Sequence, residues 1–292
     1  MDMVKIATEQ RNNRTTHIDK LNGHKIATLI NQEDAVISDV VGQQTEQIGL
    51  AIEQIATRFK KGGRLIYMGA GTSGRLGALD AIELQPTYGV PNDRAFGLLA
   101  GGQKAMFRAV EGAEDSKTLA IEDLKRQQLT TSDVIIAIAA SGRTPYTIGA
   151  IEAANKAGAL TVSVTCTADN EMSQIAKIAI NLVVGPEVIT GSTRMKAGTA
   201  QKMVLNMIST GVMIKAGYIY ENLMINVQPT NKKLIQRATD MLTQILGLEE
   251  QKSSELLKEA HNSVALAILM NKKNVNYESA KQILKDNDGQ IL

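Results

Sequence analysis

This chain of 292 residues has no tryptophan, and its three phenylalanines and six tyrosines bring aromatic residues to only 3%. So sparse a set offers no platform on which bases could stack. Its 32 basic and 30 acidic residues are mixed along the chain and leave a formal net charge of +2. That balance gives no electrostatic case for nucleic acid or an anionic membrane as partner. Cysteine occurs once, at Cys166, which excludes an internal disulfide framework. It lies in the run LTVSVTCT and reads as a buried thiol at a strand end rather than a nucleophile. The three histidines, His17, His24 and His261, match no metal spacing, so no metal is expected. No stretch approaches the roughly eighteen apolar residues of a membrane helix, and no apolar leader segment opens the chain. A soluble, cytoplasmic protein is the expectation.

Hydrophobic residues make up 43% of the chain, enough core for one large α/β domain and a smaller appendage. Residues 1 to about 20 are polar and predict an extended segment. Helical spacing then runs to Gly62 and Gly63, which stop it. RLIYMGAG is a short apolar strand entering a glycine-rich turn, and TSGRLGALDAIEL follows as a helix, with Thr72 or Ser73 as N-cap and Pro86 at its end. RAFGLLAGG predicts a second strand, DVIIAIAASGRTP a third, and LTVSVTCT and IAINLVV two more, with helices between them. A long helix follows over GSTRMKAGTAQKMVLNMISTGVMIKAG, its apolar face at Ala200, Met203, Val204, Met207 and Ile208. Alternating strands and helices imply an α/β fold, a doubly wound parallel sheet of about five strands. After Pro229 the composition shifts to three or four short amphipathic helices, a small C-terminal helical bundle with methionines as core filler. The expected organisation is an N-terminal helical segment over 1–62 packing on an α/β domain over 63–228, then a helical subdomain over 229–292.

The turn after the first strand carries Gly69, Gly71 and Gly74 in a G-x-G-x-x-G pattern. A nicotinamide-binding unit also needs an acidic residue at the end of its second strand. Here that strand ends in glycines, so no such cofactor is expected. What Gly71, Thr72 and Ser73 offer is hydroxyls and free backbone N–H groups at a helix start, which favour phosphate. Ser141, Gly142, Arg143 and Thr144 repeat the design after another strand. One such turn is most simply a helix cap; two at parallel strand ends point to a shared anion site. Arg194 and Lys196 stand at the start of the long helix, where basic residues oppose the macrodipole. A nearby anion would explain them, as would an exposed basic first turn, and Arg75 and Arg143 share the ambiguity.

Taken together, GAGTSGRLG, AVEGAED, IAASGRTPY and VITGSTRMKAGTAQKMVLNMIST resemble the N-acetylmuramic acid 6-phosphate etherases, a family of the sugar isomerase (SIS) fold, along nearly the whole chain. The animal glucokinase regulatory protein shares the fold and some motifs but is a much longer, two-SIS-domain chain. The resemblance implies cleavage of the D-lactyl ether at C3 of N-acetylmuramate 6-phosphate, giving N-acetylglucosamine 6-phosphate and D-lactate in cell-wall sugar recycling. It implies elimination followed by hydration, with no metal or organic cofactor, and a homodimer. Family motifs place the proton donor at Glu83 and the base and water activator at Glu114, with Asp80 and Glu111 as structural acids. Two carboxylates in differently polarised surroundings can divide acid and base work. The resemblance makes Gly71, Thr72, Ser73, Ser141, Gly142, Arg143, Thr144, Arg194 and Lys196 candidates for the substrate's phosphate or carboxylate. Where the family commonly reads D-A-S-E-C-P-P-T, this chain has Ile82, Leu84 and Gln85 around a retained Glu83. Two other readings stay open: a non-catalytic SIS regulator that senses a sugar phosphate, and an aldose–ketose isomerase side activity.

Overall fold

The computed structural model describes residues 7–226, 232–287 and 289–291. The composition shift at Pro229 and the first six residues lie outside them. The expected extended N-terminal segment is instead folded into three 3-10 turns, Ala7–Glu9, Asn13–Thr15 and Ile18–Lys20. Local side-chain bonds tighten it: Asn12 accepts from the Arg14 N–H, and the Thr15 hydroxyl donates to the Asn12 carbonyl. Helices α1 (Gly23–Asp34), α2 (Ile37–Gly42) and α3 (Thr45–Lys60) follow. Asn22 caps α1 by accepting from the Lys25 N–H at 3.0 Å.

The alternating region runs β1 (Leu65–Gly69), α4 (Gly71–Tyr88), β2 (Ala95–Leu99), α5 (Lys104–Phe107), α6 (Lys117–Arg126), β3 (Val134–Ile138), α7 (Pro145–Lys156), β4 (Leu160–Thr165), α8 (Glu171–Ile175), β5 (Ile178–Asn181) and α9 (Lys196–Lys215). The five strands are parallel, in the order β2-β1-β3-β4-β5. This is the doubly wound sheet that the sequence predicts. β1, β3 and β4 are buried along their whole length, so they read as unbroken apolar runs, while the edge strands β2 and β5 are only partly buried. At the amino end of the sheet, Arg64 donates to both carboxylate oxygens of Asp133, at 2.9 and 2.7 Å. Asp133 also accepts from the Thr130 N–H at 2.7 Å, so one carboxylate ties the starts of β1 and β3.

Three element ends differ from expectation. Pro86 does not stop α4, which continues to Tyr88. Proline this late in a helix forfeits one hydrogen bond, and Gly89, at φ +70°, closes the end by donating to the Gln85 carbonyl at 2.9 Å. At the other end of α4, Thr72 and Ser73 lie inside the first turn, and the Ala70 carbonyl takes the first helical bond from Gly74 N–H. The long helix begins at Lys196, not in the preceding GSTR run, because the Glu187 carboxylate caps it, accepting from the Lys196 and Ala197 N–H groups at 3.0 and 2.9 Å. Its buried face holds Ala197, Ala200, Gln201, Val204, Leu205 and Ile208, with Met203 and Met207 at its margin.

The chain divides into two compact units, residues up to Ala81 with Asp93–Ser209, and Ile82–Asn92 with Thr210 onward. The second holds a two-stranded antiparallel pair, β6 (Ile219–Tyr220) with β7 (Leu223–Met224), and helices α10 (Lys232–Leu246), α11 (Glu250–Glu259), α12 (Val264–Lys273) and α13 (Tyr277–Asp286). Its core gathers Ile225, Leu242, Leu257, Val264, Ile268, Leu269 and Ala280, with Met241 and Met270 packed in as filler.

Candidate active site

The strand order reverses between β1 and β3, and a parallel sheet opens a crevice at the carboxyl ends of its strands at such a point. The turns after these two strands are the two hydroxyl-rich turns of the sequence. Gly69 pairs in register with Ile138, so the turns start side by side. The first is drawn tight: a methyl group on Gly74 would lie 2.5 Å from the Gly69 carbonyl oxygen, and one on Gly77 would lie 2.7 Å from the Tyr67 Cβ. These glycines let α4 leave the strand abruptly and lie close on the sheet. In the second turn Gly142 has φ +67°, and a methyl group there would meet the Asn170 side chain at 2.3 Å. Asn170 in turn caps α8 through the Ser173 N–H and donates to the Thr165 hydroxyl and the Thr167 carbonyl.

The hydroxyls in the two turns are engaged differently. Ser141 Oγ accepts from the Arg143 N–H at 3.3 Å, which leaves its own proton available. Ser73 is buried and donates to Gln201 Oε1 on α9 at 2.8 Å. Thr144 takes the N-cap position of α7 without bonding a helical N–H, and Pro145 supplies the first helical residue. Arg143 Nη1 and Gln201 Nε2 are buried donors with no hydrogen-bond partner among the described residues. Gly198 in the first turn of α9 packs against Thr72, with a methyl group there lying 3.3 Å from the Thr72 Cγ2. The start of α9 therefore meets the β1–α4 turn.

Glu114 is exposed in the turns between α5 and α6. Its carbonyl accepts from the Tyr146 N–H at 2.9 Å, which brings this segment to the first turn of α7. The structure thus gathers Gly71, Thr72, Ser73, Ser141, Gly142, Arg143, Thr144 and the Glu114 backbone at one end of the sheet. Glu83 is exposed on α4 within the second unit, as are Ile82 and Gln85, while Leu84 is buried. Arg75 is occupied structurally, its Nε donating to the Ala105 and Met106 carbonyls. Asp80 is a structural acid: it accepts from the Tyr67 hydroxyl at 2.6 Å, from Asn206 at 2.7 Å and from Ser209 at 3.1 Å. Burial pushes its carboxyl above the usual range against those bonds, which pull the other way.

Lys196 does not face solvent. Only 2% exposed, it places Nζ 3.1 Å from Glu33 Oε2 on α1, and Glu33 also meets Arg14 and Asn12. Burial raises the Glu33 carboxyl, but Lys196, Asn12 and Arg14 outweigh it and hold the group below its ordinary value. The anion that a lysine at this helix start calls for is supplied by the chain itself. Arg194 is exposed in the preceding turn. Cys166 is fully buried, its thiol donating toward the Ala197 carbonyl at 3.7 Å, and burial together with Glu187 pushes that thiol up. Among the described residues there is no cluster of three or more His, Cys, Asp or Glu suited to a metal ion, and no helix long and apolar enough to cross a membrane.

Sequence reasoning missed Gln201, Glu187 and Glu33. The one available signal was for Gln201, a polar residue in the middle of the apolar face of α9.

Comparison with known proteins agrees with this architecture. Residues 47–155 match the profile of the glucokinase regulatory protein N-terminal SIS domain, and residues 118–210 that of the SIS domain. A crystal structure of a Bacteroides fragilis protein assigned as a phosphosugar isomerase involved in capsule formation superposes with a TM-score of 0.50, covering 66% of this chain and 90% of that one at 19% identity, which shows the shared fold. Among curated proteins, N-acetylmuramic acid 6-phosphate etherase 1 of Enterococcus faecalis is 60% identical over 100% of this chain and 97% of its own length. The N-acetylmuramic acid 6-phosphate etherase of Lactobacillus johnsonii is 55% identical, over 100% of this chain and 98% of its own. Identity at that level from end to end means that the chain belongs to the N-acetylmuramic acid 6-phosphate etherase family.

Proposed function

We propose that the chain is a carbon–oxygen lyase that cleaves the D-lactyl ether of N-acetylmuramate 6-phosphate, giving N-acetylglucosamine 6-phosphate and D-lactate in the recycling of cell-wall sugars. The observation that carries this reading is the full-length identity of 60% to a curated etherase. The alternative, a sugar-phosphate-sensing regulator, has narrower support, because the glucokinase regulatory profile covers residues 47–155 alone.

The reaction runs by elimination and hydration. The open-chain sugar carries an aldehyde at C1 that acidifies the C2 proton. Glu114 removes this proton, the C3–O bond breaks, and Glu83 protonates the departing lactate oxygen. Glu114 then gives up its proton to solvent, takes one from the water that adds at C3 of the unsaturated aldehyde and passes it to C2, while Glu83 is reprotonated from solvent for the next turn. Ser73 with Gly71 and Thr72, and Ser141 with Gly142, Arg143 and Thr144, bind the 6-phosphate. Support for that assignment comes from the free Ser141 proton and the unpartnered buried Arg143 Nη1. Arg194 receives the substrate's carboxylate. Lys196 acts through the fold by holding Glu33 against the start of α9. The working protein is a cytoplasmic homodimer.

The test is turnover in water labelled with heavy oxygen and deuterium. The oxygen label should appear on the sugar at C3 and not in lactate, and deuterium should appear at C2. Glu114→Ala should lose both exchange at C2 and turnover, whereas Glu83→Ala should lose lactate release by about 10²–10⁴-fold while exchange continues. Label in lactate would mean displacement at the lactyl carbon and would overturn both roles.

A further inference from the structure

We propose that Gln201 is a positioning residue that sets the donor–acceptor polarity of Ser73, and that turning its amide over switches the β1–α4 turn between a closed-off and a phosphate-accepting state. The inference rests on the reading of this turn as part of the 6-phosphate site.

A hydroxyl has one proton, and an amide oxygen can only accept. In the structure Ser73 donates that proton to Gln201 Oε1 at 2.8 Å. Ser73 Oγ then offers a ligand only lone pairs, and phosphate oxygens are acceptors too. Two acceptors facing each other repel, so the arrangement does not suit a phosphate. Meanwhile Gln201 is wholly buried, and its Nε2 carries two donors with no partner among the described residues. A buried unsatisfied donor costs about 1–3 kcal/mol. The amide group is nearly isosteric about its terminal bond, so a half-turn exchanges oxygen and nitrogen with little change in packing. After the half-turn, Nε2–H donates to Ser73 Oγ, and the Ser73 O–H is released to donate to a phosphate oxygen. Without an anion the released proton lacks an acceptor. With one, one of the two amide N–H donors and the hydroxyl proton are both satisfied, in a chain from Gln201 through Ser73 to the ligand.

Ser141 has no such control, since it already accepts from a backbone N–H and keeps its proton free. The two turns therefore play unequal parts. The β3–α7 turn is ready in advance, and the β1–α4 turn is made ready by Gln201.

The experiment measures KM and kcat for D-lactate release from N-acetylmuramate 6-phosphate, with inorganic phosphate as a competing probe. The variants are Ser73→Ala, Gln201→Glu, Gln201→Met and the double variant Ser73→Ala with Gln201→Glu. A carboxylate at 201 can only accept and holds the Ser73 proton permanently. Gln201→Glu should raise KM by about ten- to a hundred-fold and weaken phosphate inhibition in parallel, with kcat nearly unchanged. The double variant should be no worse than Ser73→Ala, because no proton is left to withhold. Gln201→Met cannot accept the proton strongly, so its KM should stay within about threefold of the parent. Where the buried charge of Gln201→Glu prevents folding, the Gln201 side-chain amide resonances of the parent protein decide: saturating inorganic phosphate should shift them as Nε2–H comes to donate to Ser73, and resonances unmoved by bound phosphate would overturn the switch. Multiplying effects in the double variant would mean that the new charge acts on the ligand directly, and the switch would fall. A KM for Gln201→Met as poor as that of Ser73→Ala would also overturn it, by showing that Gln201 binds the ligand itself. An unchanged KM in Ser73→Ala would instead remove the turn from the phosphate site, and the switch with it.

Discussion

Single residues in this chain are tuned by opposing forces whose balance can be read off their neighbours. Burial raises the Asp133 carboxyl, but the Arg64 side chain, the Thr130 and Arg64 N–H groups and the guanidinium charge outweigh it and hold Asp133 below its usual range. A carboxyl depressed on folding stabilises the native state above its unfolded pKa, and that contribution is lost as pH falls through the folded value. Asp133→Asn should therefore cost about 1–3 kcal/mol at neutral pH, and its gap to the parent should close in urea titrations below about pH 4. Asp80, raised by burial, has the opposite sign: its contribution is full below the unfolded pKa and falls away as pH rises through the folded one. Such balances were invisible in the sequence. The chemistry-bearing types and their turns were legible because they follow one another along the chain. The partners were not, because Ser73 meets Gln201 at a separation of 128 residues and Lys196 meets Glu33 at 163. Periodicity marks which face of a helix is buried and says nothing of which polar group on another helix it will meet.

Elements were legible where one local cause decides them. β1, β3 and β4 are covered on both faces, so composition alone marks them. Element ends were legible only where the cap is adjacent. Asn22 and Ser116 bond N–H groups three residues on, whereas the cap of α9 comes from Glu187, nine residues upstream of the helix's first residue. The β3–α7 turn shows how a single position can carry two elements. An alanine at Gly142 would be strained at φ +67° and would press on Asn170, the cap of α8. Gly142→Ala should lower stability by about 2–4 kcal/mol, seen as an earlier urea midpoint with an unchanged slope. A midpoint within error of the parent would mean that the turn relaxes freely.

The whole molecule leaves apolar surface uncovered in the first unit. Phe107 is 90% exposed, and Ile189, Val183 and Leu50 are close to half exposed. The proposed homodimer would give that surface a partner, and on that proposal light scattering at micromolar concentration should report about 63 kDa, twice the 31.4 kDa chain. A fully active species of single-chain mass would contradict it. The sheet itself divides its labour, with the Arg64–Asp133 clamp at the amino ends of the strands and the two hydroxyl-rich turns at the carboxyl ends. Between the second turn and the proposed base runs one backbone bond, from the Tyr146 N–H to the Glu114 carbonyl. That amide proton is a natural clock: it trades with solvent when the segment that carries Glu114 lifts off α7. A sugar phosphate that settles both sides should slow its exchange with deuterium, so one proton in the resting protein times the opening of the segment that carries Glu114.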